Sequence, residues 1–522
     1  MSIYSLWKLA RLAFAFLLIT VLPVTSQSPS RWIDWPQFGL DSQHSSNNSQ
    51  ETILSAANVA QLKVMFKSPL PGIADGAPVY LTSITTPGGV KNLLFLTTTN
   101  GSITALDANT GVQVWSQPNP AGNCKINNGA STCYTTSSPA LDPNRQFVYS
   151  YGLDGFVHKY QVGDGTEIKT GGWPELATLK PFDEKGSSAL SVATAKSGAS
   201  FLYVANSGYP GDNGDYQGHL TAINLADGTQ KVFNTLCSNQ IVHFLETPGT
   251  PDCSGVQSAI WARPGVVYNP ENDHIYMATG NGTFDPAAHE WGDTVFSLTP
   301  DGSGSGGNPL DSYTPADYAS LQSSDADLGS TAPAILPTPA TSKVAHLAVQ
   351  GGKDGLLRLI NLDNLSGMGG TGRTGGEIGS PISAPGGSEV LAMPAVWVNP
   401  ADNQTWVFVA SGAGIAGIKL VVDGSGNPSL SQVWEHSGGG SSPVVANGVL
   451  YFVRSNLVEA LNPVNGSTLW SSTVIGSIHW ASPIVVNGVL YITDQSSDLT
   501  AFSINGKVPP TPFRMFLPFV TH

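Results

Sequence analysis

The chain has 522 residues and a formal net charge of −14, and only 11% of its side chains are charged, against about 25% in ordinary domains. A net acidic surface repels phosphate backbones, which excludes nucleic acid as an expected partner. With 58 glycines and 37 prolines, the composition suits many strands joined by tight turns and excludes an architecture of long helices.

Residues 1–26 read as a targeting leader, a signal peptide. Lys8 and Arg11 give a basic start, Leu12 opens an apolar run that ends at Val24, and Val24-Thr25-Ser26 is a small-residue cleavage site. The run is short for a membrane span. An uncleaved anchor is the alternative, and no later stretch is apolar enough to cross a bilayer as a helix. Export is therefore expected, with no transmembrane segment once the leader is removed. Residues 32–48 are polar and irregular. The following ILSAANVAQLKVMF, residues 53–66, is predicted to hold a short helix starting near Ser55.

From there a proline-apolar mark recurs, at Pro78-Val79, Pro139-Ala140, Pro264-Gly265, Pro333-Ala334, Pro394-Ala395, Pro443-Val444 and Pro483-Ile484. Ser188-Ala189-Leu190 fills the one long gap. Proline is tolerated at the first residue of a strand, where no ladder donor is lost, so each mark opens a strand. Eight marks predict eight repeats. A second repeat lies between the marks: GSITALDANTGVQVW at 101–115 returns as VEALNPVNGSTLW at 458–470, with Ala105, Gly111 and Trp115 at the offsets of Ala460, Gly466 and Trp470. This spacing predicts a ring packed flat over a tight turn. Weaker copies are HLTAINLADGTQ at 219–230 and LTAFSING at 499–506. Asn447-Gly448 and Asn487-Gly488, each between alternating apolar residues, are type I′ hairpin signals. Repeating strands with Gly-rich turns indicate a closed radial β architecture, a propeller. One ring over 27–507 is expected, with a Pro-rich tether and apolar tail at 508–522.

Four cysteines sit in two local pairs, Cys124/Cys133 and Cys237/Cys253. In an exported chain they are read as two disulfides pinning long loops, the alternative being a zinc site for which CxxC or nearby His spacing is lacking. No GxSxG, HExxH or CxxCH signature is present.

The Ala/Gly/Trp copies resemble the tryptophan-docking repeats of quinoprotein β-propellers, the PQQ-dependent dehydrogenases and their non-enzymatic relatives. The stretch WPQFGLDSQHSSNN with residues 53–66 resembles the segment that leads into the first blade of that family. The resemblance implies an all-β, eight-bladed quinoprotein-like propeller with tryptophan-docking repeats. It also implies site residues. AIWARPGVVYNPENDHIYMATGN looks like the segment that supplies an aromatic floor for the quinone and a calcium-binding asparagine, which makes Trp261 the floor and Asn281 the ligand. TPADYASLQSSDADLGSTAPAIL resembles the stretch carrying the catalytic aspartate, a place that Asp325 takes with Asp327 following; Asp325 also lies within reach of the implied metal. GGKDGLLRLIN resembles the turn whose cation contacts the quinone oxygens, here Lys353. The implied cofactors are pyrroloquinoline quinone (PQQ) and Ca2+, and the implied substrate is a small alcohol or sugar.

The residue types fit that chemistry. Calcium takes several oxygen ligands, a carboxylate can accept an alcohol proton, and a lysine can stabilise a developing oxyanion. Two departures stand out. The family's adjacent cysteine pair is absent, and its calcium glutamate falls in GYPGDNGDYQGHLTA, where Asp212, Asn213 and Asp215 are the candidates. Two functional classes follow: a quinone- and calcium-dependent oxidoreductase of alcohols or sugars, or a propeller scaffold without cofactor that binds a protein or glycan at the cell envelope. Both belong outside the cytoplasm, secreted, periplasmic or envelope-associated.

Overall fold

Because proline lacks the donor that a strand interior needs, strands begin after it. The innermost strands start at Val79, Ala140, Val267, Ala334, Ala395, Val444 and Ile484, and Ser191–Thr194 follows the proline-free mark. The computed structural model describes residues 33–118, 124–127, 131–210, 212, 214–242, 244 and 253–510. The leader at 1–26, most of the tail and Asn213 lie outside the described residues.

Each mark opens one blade of an eight-bladed β-propeller. Blades 1 to 7 span 79–117, 140–176, 184–234, 267–313, 334–383, 395–437 and 444–472, each built from antiparallel strands in chain order. Blade 8 spans 484–504 and takes its outermost strand, Leu62–Pro69, from the N-terminal part of the chain, ahead of blade 1; it pairs with Asp498–Ile504. Closing a sheet array this way leaves few exposed edges. Among the described residues the one α-helix is Tyr318–Ser324, and no helix is long and apolar enough to cross a membrane. The helix expected near Ser55 is a single 3-10 turn, Val59–Gln61. Asn58 bonds back to Ser55 and Ile53, and Leu62 is already extended because blade 8 needs it as a strand.

The Ala/Gly/Trp repeat joins blades rather than folding on itself. Trp115 pairs across the sheet with Ala105, but its indole N–H donates to Val162 O of blade 2 at 2.9 Å. A Cβ on Gly165 of that blade, at φ +73°, would stand 2.6 Å from the ring. Trp470 donates to Leu62 O at 3.1 Å in blade 8. Trp434, paired with Gly417, docks on Pro463 O at 2.9 Å against Gly466. The weaker copies use substitutes. Lys231, opposite Ala222, bonds Asp301 and Ser303 of blade 4. Opposite Ala501 stands Phe66, whose ring presses on Gly111 of blade 1.

Residues 33–51 pass from blade to blade around the axis, bonding at the second residue of the innermost strands. Trp35 N donates to Tyr80 O, and the segment then bonds Leu141, Val192, Tyr268, Val396, Val445 and Val485, touching the innermost strands of seven blades. His44 is fully buried there, its ring nitrogens 2.6 and 2.9 Å from Phe38 O and Val266 O. Both cysteine pairs are bridged, with Cα atoms 5.5 and 6.0 Å apart.

Candidate functional site

The connections that precede the innermost strands and the turns after the second strands of blades 3 and 5 meet at one end of the axis and enclose a cavity of about 350 Å³. Asp212, Trp261, Asp325, Asp327 and Lys353 all line it, although they come from blades 3, 4 and 5. A larger cleft of about 680 Å³ lies between outer turns of blades 1 and 2, around Arg145 and Asp164. It holds none of the candidate residues.

The two neighbouring aspartates are in different situations. Asp325 caps the Tyr318–Ser324 helix in the left-handed region, φ 53°, with its carboxylate 63% exposed. Asp327, two residues on, is 4% exposed and ion-paired to Lys353; its Oδ1 also accepts the Asn281 N–H at 2.7 Å. Lys353 Nζ is 3.4 Å from Asp325. A Cβ on Gly280 would fall 2.1 Å from Asp327 Oδ1, so only glycine lets the carboxylate approach that backbone. Burial raises the Asp327 pKa, with Lys353 opposing it. Burial works against the Lys353 charge, yet Asp327 and Asp325 outweigh it and its pKa is raised.

Asn281 is buried beside them. Its Nδ2 donates to Asp212 Oδ2 at 3.1 Å, while its Oδ1 has no partner. The other Asp212 oxygen accepts from Tyr216 OH at 2.6 Å. Asp215 does not join this group; its side chain is 53% exposed and paired with Lys180. Trp261 meets Tyr216 edge-on, and its Nε1 is buried without a partner.

Four cavity residues escaped the sequence reading. Arg263 donates to Thr136 Oγ1 and Trp261 O at 3.2 Å and stands 4.8 Å over the Trp480 ring. Burial lowers its pKa to about 10, with Asp75 opposing. Lys185 is buried against Tyr134. His479 gives Nδ1 to Asp75 at 2.7 Å, and Asp75 also accepts Trp480 N–H. A signal for them existed: Lys185, Arg263, His479 and Trp480 each stand within five residues before a strand-opening mark, where a propeller turns toward its axis.

The donor set fits a planar anionic ring. It provides the indoles of Trp261 and Trp480, the unpartnered N–H of Trp261, and the basic side chains Lys185, Arg263 and Lys353 on the walls. For a divalent cation the available oxygens are those of Asp212, Asn281 and Asp327, and the orphaned Asn281 Oδ1 is the observation in favour. Among the described residues no three His, Cys, Asp or Glu side chains are grouped to hold a metal by themselves.

Residues 35–172 match the family model described as glucose/ethanol/alcohol dehydrogenase, beta-propeller domain. Residues 398–508 match that of the outer membrane protein assembly factor BamB. No curated protein sequence matches the chain. Among solved structures, the quinohemoprotein alcohol dehydrogenase ADHIIG of Pseudomonas putida HK5 is similar over 92% of this chain and 82% of its own, with TM-score 0.62 at 13% identity. The quinohemoprotein alcohol dehydrogenase of Comamonas testosteroni gives 0.60 at 15%, over 92% and 82%. A europium-containing methanol dehydrogenase gives 0.60 at 14%, over 90% and 98%. At such identities the likeness is one of fold.

Proposed function

This chain is a PQQ-like repeat β-propeller, and we propose that its axial cavity binds PQQ with Ca2+ and oxidises a small alcohol or sugar. One observation carries the reading: Asp212, Trp261, Asn281, Asp327 and Lys353 converge on one cavity end. When bound, the quinone supplies a two-electron acceptor and the cation a Lewis acid.

The remaining work falls to side chains. Trp261 offers its face and free N–H to the ring, and Arg263 offers charge to its carboxylates. Asp212 and Asn281 Oδ1 would hold the cation. Asp327 takes the substrate hydroxyl proton. Its burial raises its proton affinity, which suits a base. Lys353, held charged by that pair, stabilises negative charge developing opposite Asp327. Asp325, solvent-exposed and 3.4 Å from Lys353, gives the proton a route to water. Asp215 has no part in this reading. The two disulfides fit an oxidising compartment, and with the leader they support a secreted or periplasmic location.

The test adds PQQ and Ca2+ to the purified protein and follows quinone absorbance and dye-linked alcohol oxidation. Asp327→Asn should keep the quinone and lose oxidation by about two orders of magnitude or more. No quinone binding at saturating cofactor and calcium would sink the proposal. The match of blades 6 to 8 to the assembly-factor model favours the second reading, a scaffold that presents its loops to an envelope protein or glycan, and that reading would then stand.

A further inference from the structure

We propose that Lys185 is a carbonyl-capturing amine whose Nζ, set in the wall of the axial cavity, condenses with small aldehydes to form an imine. This does not depend on the oxidoreductase reading and holds for the chain without cofactor. Lys185 is 6% exposed and lines the cavity. Its backbone is fixed, because Glu184–Lys185 pairs with Gly208 and Ser207 of the same blade, so the side chain is carried on a rigid element.

The surroundings of Nζ are unusual for a lysine. Tyr134 lies 4.6 Å and Tyr209 5.9 Å away, centroid to nitrogen. Among the described residues no carboxylate forms an ion pair with it. Arg263, a like charge, lines the same cavity. Burial pulls the ammonium down to about 7, the Arg263 charge adds to this, and Asp75 opposes. Aromatic rings tolerate a cation but do not replace a carboxylate. A desolvated lysine beside a second cation is a known way to activate an amine. The nearby guanidinium favours aldehydes that carry a carboxylate.

The step balances without any other group. The unprotonated Nζ forms a bond to the aldehyde carbon, the carbonyl oxygen leaves as water with both amine protons, and a C=N bond remains. Reduction by added cyanoborohydride delivers hydride to that carbon and makes the adduct permanent.

The experiment uses the intact, disulfide-bonded protein with glyoxylate and sodium cyanoborohydride, followed by peptide mass mapping across pH 6 to 10. Lys185 should be carboxymethylated at least about tenfold faster near neutral pH than the exposed Lys343 or Lys507. Its rate should level off just above about pH 7. The Lys185→Gln variant should lose this adduct and keep the slow surface ones. Labelling of Lys185 no faster than Lys343, or a rate still climbing toward pH 10, would mean a buried ammonium that binds anions and would overturn the proposal.

Discussion

Replacing Lys353 with Met isolates what the cation does for Asp327. The carboxylate is 4% exposed and keeps only the Asn281 N–H once the ammonium is gone. Breaking a buried pair from one side costs about 3–5 kcal/mol. Lys353 retains a quarter of its side-chain surface in water, so the low end, about 3 kcal/mol, is expected at neutral pH. The loss should depend on pH with a definite sign. Burial already raises the Asp327 pKa, and Lys353 is the main opposing influence, so Lys353→Met raises it further. An acid whose folded pKa lies above its unfolded value costs stability as pH rises from the unfolded value, about 3.9. Below about pH 4 both states carry the proton and the penalty disappears. Urea unfolding followed by tryptophan fluorescence at pH 7.5 and pH 4, read as midpoints at constant m, measures this. The double variant Lys353→Met/Asp327→Asn removes the stranded charge and should recover most of the loss. An equal loss at both pH values, or a double variant with the sum of the single losses, would refute the reasoning.

Trp115→Ala removes a 7% exposed indole and its bond to blade 2; about 3–5 kcal/mol of stability should be lost, measurable by urea titration. Phe66→Ala should also loosen the ring, though by less, because Phe66 is only partly buried. His158 sits between Asp154 at 3.2 Å and Glu167 at 2.7 Å; burial opposes its charge, but the two carboxylates outweigh it and raise its pKa. A raised histidine contributes fully below its unfolded value, about 6.5, and loses that contribution as pH rises through the folded value. Thermal melts from pH 5 to 9 should therefore show a fall on the alkaline side that His158→Gln abolishes. Reducing Cys237–Cys253, which closes 16 residues, should cost about 3 kcal/mol, with a matching fall in melting temperature.

Much of the ring was legible because its signals are local. A proline that cannot sit inside a strand marks its beginning, and an Asn-Gly pair marks a hairpin; neither depends on distant residues. The eight marks accordingly became the eight innermost strands, and the paired cysteines became the two disulfides. The docking repeat was legible as a spacing but not as a contact. Trp115 needs the turn at Gly165, and Ala501 is completed by Phe66 from the opposite end of the chain; only closure brings such residues together. The site divides in the same way. Trp261, Asn281, Asp325 and Lys353 stand out by motif, with Asp327 only following Asp325; folding exposes Asp325 and buries Asp327 against Lys353. Lys185, Arg263, Asp75 and His479 carry no motif. They belong to four separate connections, and only the radial arrangement of blades turns those connections toward one axis. Local chemistry determined where strands start and turn; tertiary structure decided which charges share a cavity, because burial and charge pairing depend on neighbours that the chain supplies from far away.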